Sequence, residues 1–311
     1  MIFWQIATFA EYLENVTFMT ALFDEATARS AIVFTKMHGA GNDYIYIDCM
    51  QSMPDRPEEL AVEMASRHFG VGGDGIVLIC PSEVADLKMR MFNSDGSEGK
   101  MCGNASRCIA LYAANHGLAD SDTINLETLS GVKVLLINRN ADGTIRDVTV
   151  DMGKPETTAS LVPAKAQSEQ MIDYPLCVDG ETLSVTAVSM GNPHCVVFVD
   201  RLEDVDFFRL GPLLETHEAF PERANVEFVE VVDRDHVKVR VWERGSGETL
   251  ACGTGACAVA VAGSLTERTG DNVKVSLRGG DLSIAIDPAT GHVLMTGPAE
   301  EVFSGVYHRK H

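Results

Sequence analysis

Two cysteines stand 150 residues apart in matching surroundings, and such a pair can move protons on and off a carbon acid. Met89-Arg90-Met91-Phe92-Asn93 leads through Glu98 to Cys102-Gly103-Asn104. In the same way Val239-Arg240-Val241-Trp242-Glu243 leads through Glu248 to Cys252-Gly253-Thr254. The offset also joins Gly41-Asn42 to Gly191-Asn192 and Gly75 to Asn225, without a gap. A repeat on this scale implies two similar halves facing each other, so a ligand between them meets one thiol from each side.

Both Cys-Gly pairs precede an apolar run of helical character. At a helix start the unsatisfied amides and the positive end of the dipole favour anions. The thiolate is therefore expected to be favoured, with its pKa lowered toward neutrality. Gly103-Asn104 and Gly253-Thr254 can present amides to a carboxylate, and glycine permits close approach. With a carboxylate held there, its α-carbon lies between the sulfurs. One thiolate then removes the α-proton from one face while the other thiol protonates the opposite face, which inverts the centre. Cys108 and Cys257, further into the helices, read as core, and Cys195 as packing; Cys49, Cys80 and Cys177 carry no functional signal.

The elements that position these residues follow from periodicity and turn residues. Strands are expected at 32–34 and 44–48, around the turn from His38 to Asn42. A helix follows, capped by Asp55, with Pro57 in its first turn, Leu60, Met64 and His68 on one face and Gly70 as the stop. Further strands fall at 76–79, 87–92, 123–126, 132–137 and 145–150, with a helix over 105–115 that ends at Gly117. Gly153-Lys154-Pro155 opens a stretch rich in Thr, Ala, Ser and Pro that runs to Ala166 and reads as the boundary between domains. Strands at 183–188, 195–199, 226–232 and 237–242 then lead to a helix over 256–265. That helix is apolar on every face, so it must be buried.

The expected fold is α+β, with two pseudo-symmetric domains, each a mostly antiparallel sheet wrapped round a central helix. The first half is expected at 32–151 and the second at 152–298, with 299–311 packing back on the first. Residues 1–31 precede the repeat and read as an extension outside the fold: their apolar stretches are broken by Glu11, Glu14, Asp24 and Glu25 and are too short to span a membrane.

At 311 residues and 45% hydrophobic content, the chain is long enough for two domains that each bury a core. A net charge of −20 opposes polyanionic partners, which excludes nucleic acid and anionic membrane as expectations. Eight cysteines without a CxxC pair or zinc spacing argue against a disulfide scaffold or a metal site and point to the cytoplasm.

Six motifs resemble the diaminopimelate epimerase family, in that family's order and from about Ile32 to Tyr307. They are Phe34-Thr35-Lys36-Met37-His38-Gly39-Ala40-Gly41-Asn42-Asp43-Tyr44, Asn93-Ser94-Asp95-Gly96-Ser97-Glu98, Met101-Cys102-Gly103-Asn104, Met190-Gly191-Asn192-Pro193-His194-Cys195, Arg223-Ala224-Asn225, and Glu243-Arg244-Gly245 through Ala251-Cys252-Gly253-Thr254-Gly255. The resemblance implies a homodimeric epimerase, free of pyridoxal and metal, that interconverts LL- and meso-diaminopimelate on the route to lysine and peptidoglycan precursors. It implies that Cys102 and Cys252 are the acid and base, that His194 and Glu243 tune them, and that the amides at Gly103, Asn104, Gly253 and Thr254 hold the reacting carboxylate. Asn42, Asn93, Asn192, Asn225, Glu243 and Arg244 match substrate-binding positions. Arg244 offers a planar fork suited to a carboxylate.

Three positions depart from the family pattern. Ala105 stands where glycine is usual, Tyr44 replaces the more usual phenylalanine, and Gly75 stands where some relatives carry a substrate-contacting glutamine. Two alternative functions remain open. A proline or hydroxyproline racemase would share the fold, although its first motif usually has His where this chain has Asn104. A thiol redox protein or a non-catalytic binding protein would leave the cysteines without a proton to transfer.

Overall fold

The computed structural model describes residues 31–309, so the expected N-terminal extension lies, but for its last residue, outside the described residues. The chain begins with β1 (Ala31–Gly39), β2 (Asn42–Asp48), α1 (Pro57–Ala65), β3 (Gly75–Cys80), β4 (Leu87–Asn93) and the short β5 (Glu98–Gly99). Then come α2 (Gly103–Asn115), β6 (Thr123–Thr128), β7 (Gly131–Arg139) and β8 (Ile145–Asp151). After β9 (Tyr174–Val178) the order returns as β10 (Glu181–Ser189), β11 (Pro193–Val199), α3 (Phe207–Glu215), β12 (Asn225–Asp233), β13 (His236–Glu243) and β14 (Gly247–Thr249). It ends with α4 (Gly253–Leu265), β15 (Asn272–Leu277), β16 (Gly280–Ile286), β17 (Val293–Gly297) and β18 (Glu300–His308).

The offset of 150 carries β1 onto β10, α1 onto α3 and α2 onto α4 end to end. All the strands join one mostly antiparallel sheet. Its four parallel pairings fall in equivalent places, β2 with β3 and β4 with β6, then β11 with β12 and β13 with β15. Each needs a crossover, and the four helices supply them. β18 pairs with β1 as β9 pairs with β10, and β17 pairs with β8 to join the halves.

Each central helix is enclosed by strands of its own half. α4 buries nearly every residue because its Ala, Gly and Val side chains let the sheet close in; a Cβ on Gly263 would run into Thr269. Each half buries an apolar cluster of its own, around Leu60 and Ile76 in the first and around Phe207 and Phe228 in the second, and the two also share a third. The shared cluster takes in Cys108 and Ile109 of α2 together with Val259 and Val261 of α4. Within the stretch expected as the domain boundary, Ala159, Val162 and Ala164 are buried in the second half's cluster.

The structure corrects several local expectations. Asp55 does not cap α1: Arg56 holds that position at φ 47°, and Pro57, pre-set for a first turn, starts the helix. α1 ends at Ala65, before His68, because the amides of Val71 and Gly72 fold back on the Met64 carbonyl at 2.9 Å each. α2 and α4 begin at Gly103 and Gly253, earlier than expected, so Cys102 and Cys252 are themselves the N-cap residues. α3 had no counterpart in the local reading, since Gly211-Pro212 interrupts its signal. Its coincidence with α1 under the repeat offset was the available clue.

Candidate active site

The two caps meet at the mouth of one cavity of about 640 Å³, lined by Cys102, Gly103 and Asn104 from one half and Cys252, Gly253 and Thr254 from the other. Asn42, Asn93, Asn192, Glu243 and Arg244 line it too. A second opening of about 1200 Å³ shares Asn42, Asn93, Glu243 and Arg244 and adds Asp74 and Arg67. Met295 packs beneath both glycines: a Cβ on Gly103 would strike its methyl, and one on Gly253 would lie 3.0 Å from its sulfur. The backbone can approach a ligand here because these residues carry no side chain.

Neighbouring residues hold the glycine-led helix starts in place. Arg107, fully buried in α2, donates to Asn104 Oδ1 at 2.8 Å and to the Pro298 carbonyl at 3.1 Å. In the hairpins leading to the caps, Arg90 donates to Glu98 at 2.7 Å and Arg240 to Glu248 at 3.0 Å, so the repeated pairs are equivalent braces. Glu215 at the end of α3 accepts from the Trp242 indole at 2.8 Å and from the Gly245 amide at 3.0 Å. The overlooked helix thus fixes the turn that carries Glu243 and Arg244. Its Gly211 is required, since a Cβ there would lie 2.8 Å from the Trp242 ring.

The repeat-related asparagines face opposite ways. Asn42 donates its amide to Asp74 at 2.7 Å and turns its oxygen to the Cys102 thiol at 3.3 Å. Asn192 turns its oxygen to His194 Nε2 at 3.1 Å and its amide to Thr254 Oγ1 at 3.4 Å, and that hydroxyl lies 3.4 Å from Cys252 Sγ. An acceptor beside Cys102 favours its thiol, while the Gly255 amide, 3.4 Å from Cys252, favours the thiolate there.

The expected lowering of both thiols is overturned. Burial pushes Cys102 up, against the amides of Asn104 and Ala105 and the charge of Arg107. Burial also pushes Cys252 up, and the carboxylates of Glu243 and Glu227 push it further. The helix start does favour the anion, but removal from water outweighs it. Glu243 is itself raised by burial and held by Thr249 at 2.6 Å. Cys108 and Cys257, as core thiols, are pushed up to about 12.

His194, Asn225 and Gly75 stand behind the cavity wall. Asn225 donates to the Pro193 carbonyl at 3.2 Å and accepts from the Arg244 amide at 2.9 Å, so it orients the arginine's backbone. The Arg244 side chain reaches the Glu222 carbonyl at 2.9 Å. Asn93 is tied to Ser97 at 3.0 Å. Gly75 packs against β4, where any Cβ would run into the Phe92 carbonyl. A glutamine contact at this position is therefore excluded without a backbone shift, and Gly75→Ala is expected to lower unfolding free energy by about 1–3 kcal/mol in urea titration.

Sequence reading missed Asp74, Arg107, Glu215 and Glu227. Arg107 and Glu227 each carried a signal: a charged residue inside an otherwise apolar helix or strand is either paired or functional. Among the described residues no group of three or more His, Cys, Asp or Glu could hold a metal ion, and no helix is long and apolar enough to cross a membrane.

Known proteins share the fold, and others share the sequence that builds it. The diaminopimelate epimerase family profile matches residues 34–158 and 186–302. Diaminopimelate epimerase of Desulfovibrio desulfuricans is 50% identical over 284 residues, covering 89% of this chain and 99% of the relative. That of Pelotomaculum thermopropionicum is 53% identical over 279 residues, covering 88% and 98%. Among solved structures, a phenazine biosynthesis protein of the PhzF family from Bacillus anthracis superposes with a TM-score of 0.66 at 17% identity, over 89% of this chain and 99% of that one. A hydroxyproline epimerase from Agrobacterium vitis gives 0.64 at 14% identity, over 89% and 91%. Those two likenesses carry the fold alone, whereas identity near one half along almost the whole described chain, with both caps inside the matched segments, carries more: the chain belongs to the diaminopimelate epimerase family.

Proposed function

We propose that Cys102 and Cys252 are the acid and base with which the protein interconverts LL- and meso-diaminopimelate. One observation carries the reading: two cysteines, each the N-cap of a buried helix, face one cavity from opposite halves. The amides at Gly103, Asn104, Gly253 and Thr254 hold the reacting carboxylate and take up the charge that develops on it as the α-proton leaves. One thiolate takes that proton while the opposite thiol gives its own to the other face, so the sulfurs end with their protonation exchanged. Asn93, Asn192, Glu243 and Arg244 hold the second amino-acid head, and binding it fixes the reacting carbon between the sulfurs. His194 and Asn225 act from behind, through Asn192 and the Arg244 backbone.

The test is turnover of LL-diaminopimelate in heavy water beside L-proline. Deuterium at the inverted α-carbon of diaminopimelate, with proline left unchanged, is the expected result. Turnover of proline alone would overturn the substrate, and inversion without deuterium would overturn the mechanism.

The protein acts as a homodimer in the cytoplasm under this proposal. The exposed Val33 and Val306, directly opposed on β1 and β18, offer an apolar face for the partner, and the eight free cysteines suit a reducing compartment.

A further inference from the structure

Glu227 is buried beside the site with a charge that the mechanism above does not use. It lies on β12 in the row with Asn225 and Val229, and it is wholly inaccessible. Its Oε1 accepts from His194 Nδ1 at 2.7 Å, while its Oε2, also buried, has no hydrogen-bond partner. An unpartnered oxygen on a buried carboxylate is costly, so a stability role alone does not account for it. Gly255 makes room for it: a Cβ there would lie 2.6 Å from Glu227 Oε1 and 3.3 Å from Cys252 Sγ.

The repeat offset shows what this arrangement replaces. It carries His194 onto Tyr44, Glu227 onto Val77 and Gly255 onto Ala105. Val77 and Ala105 are both buried in the shared apolar cluster. The first half therefore has no carboxylate at this place and needs no glycine to admit one. Ala105, a departure from the family pattern, is matched by Val77, as Gly255 is matched by Glu227.

We propose that Glu227 is a positioning residue that acts on Cys252 and not on Cys102, so that one buried carboxylate makes two repeat-related thiols unequal. It acts by two routes. Through His194 it holds Asn192, whose amide meets the Thr254 hydroxyl beside Cys252. Across Gly255 its charge opposes ionisation of Cys252 directly. The other charged or titratable groups around this thiol are Glu243 at the end of β13 and His194 on β11. Cys195, next to Glu227, is pushed up by burial and stays a thiol.

The inference rests on Cys102 and Cys252 being the reacting thiols, but its test requires no turnover. Wild type, Glu227→Gln and Glu227→Asp are alkylated with iodoacetamide across pH, and the peptides holding Cys102 and Cys252 are quantified separately by mass spectrometry. In Glu227→Gln the Cys252 midpoint is expected to fall by about one pH unit, tenfold in thiolate fraction, with Cys102 unmoved. Glu227→Asp, which keeps the charge, should follow the wild type. A double variant, Glu227→Val with Gly255→Ala, copies the first half; it should also lower the Cys252 midpoint, and it decides the matter if the glutamine variant does not fold. Midpoints that move together for both thiols, or a Cys252 midpoint that stays in place, overturn the proposal. Absence of diaminopimelate turnover in the wild type, with these shifts intact, would count against the proposed function instead.

Discussion

Cys102→Ala and Cys252→Ala are each expected to lower kcat/KM for diaminopimelate by about 10³-fold or more, within the range that positioned acid and base groups supply. Under the proposed mechanism neither sulfur can stand in for the other, since each would face the α-carbon from its own half. A steady-state assay in both directions checks this, and retention of activity in either variant removes the two-thiol mechanism. The pH dependence follows from burial. The proposed mechanism needs one sulfur ionised and the other protonated, so kcat/KM is expected to be bell-shaped in pH, the acidic limb reporting the thiolate and the alkaline limb the thiol. Burial raises both groups. The acidic limb is therefore expected at or above the ordinary thiol range, and activity grows as pH rises toward it. An acidic limb near neutrality would mean that the helix starts outweigh burial after all.

Arg107→Ala is expected to lower unfolding free energy by about 3–5 kcal/mol, from a cavity and from one buried and one part-buried acceptor left without this donor. Those acceptors are Asn104 Oδ1 and the Pro298 carbonyl. The arginine is tightly enclosed: a Cβ on Gly39 would lie 3.0 Å from its Nη2, and one on Gly297 would lie 3.2 Å from its Nε. Its guanidinium also favours ionised Cys102, so the variant should shift that thiol's alkylation to higher pH. Urea unfolding with linear extrapolation gives the first quantity. A loss below about 1 kcal/mol would mean that removing the buried cation from its costly surroundings offsets its bonds.

Much of the frame is legible in the sequence because the repeat constrains it twice. Each central helix follows a Cys-Gly pair, and strands bounded by glycine turns recur in the same order in both halves. Where the local signal fails, as at Gly211-Pro212, the offset still places α3 on α1. The two thiols, their glycines and the line of asparagines were all readable as types and spacings. Their detailed roles were not. Asn42 and Asn192 are identical residues at equivalent positions, yet they present opposite ends to their cysteines, because Asp74 holds one and His194 the other. Gly75 and Asn225 are likewise equivalent in the repeat, but only Asn225 has space for a side chain.

The sequence by itself determined the duplicated scaffold, the pair of cysteines at helix starts and the family pattern around them, since these depend on neighbours along the chain. Only the tertiary structure decided how strongly each sulfur holds its proton. That strength depends on exclusion from water and on charges from distant strands: Glu227 lies 25 residues from Cys252 along the chain and reaches it only across Gly255. A helix dipole can be read from local sequence, whereas burial and the approach of a carboxylate through a missing side chain exist only once the halves have closed.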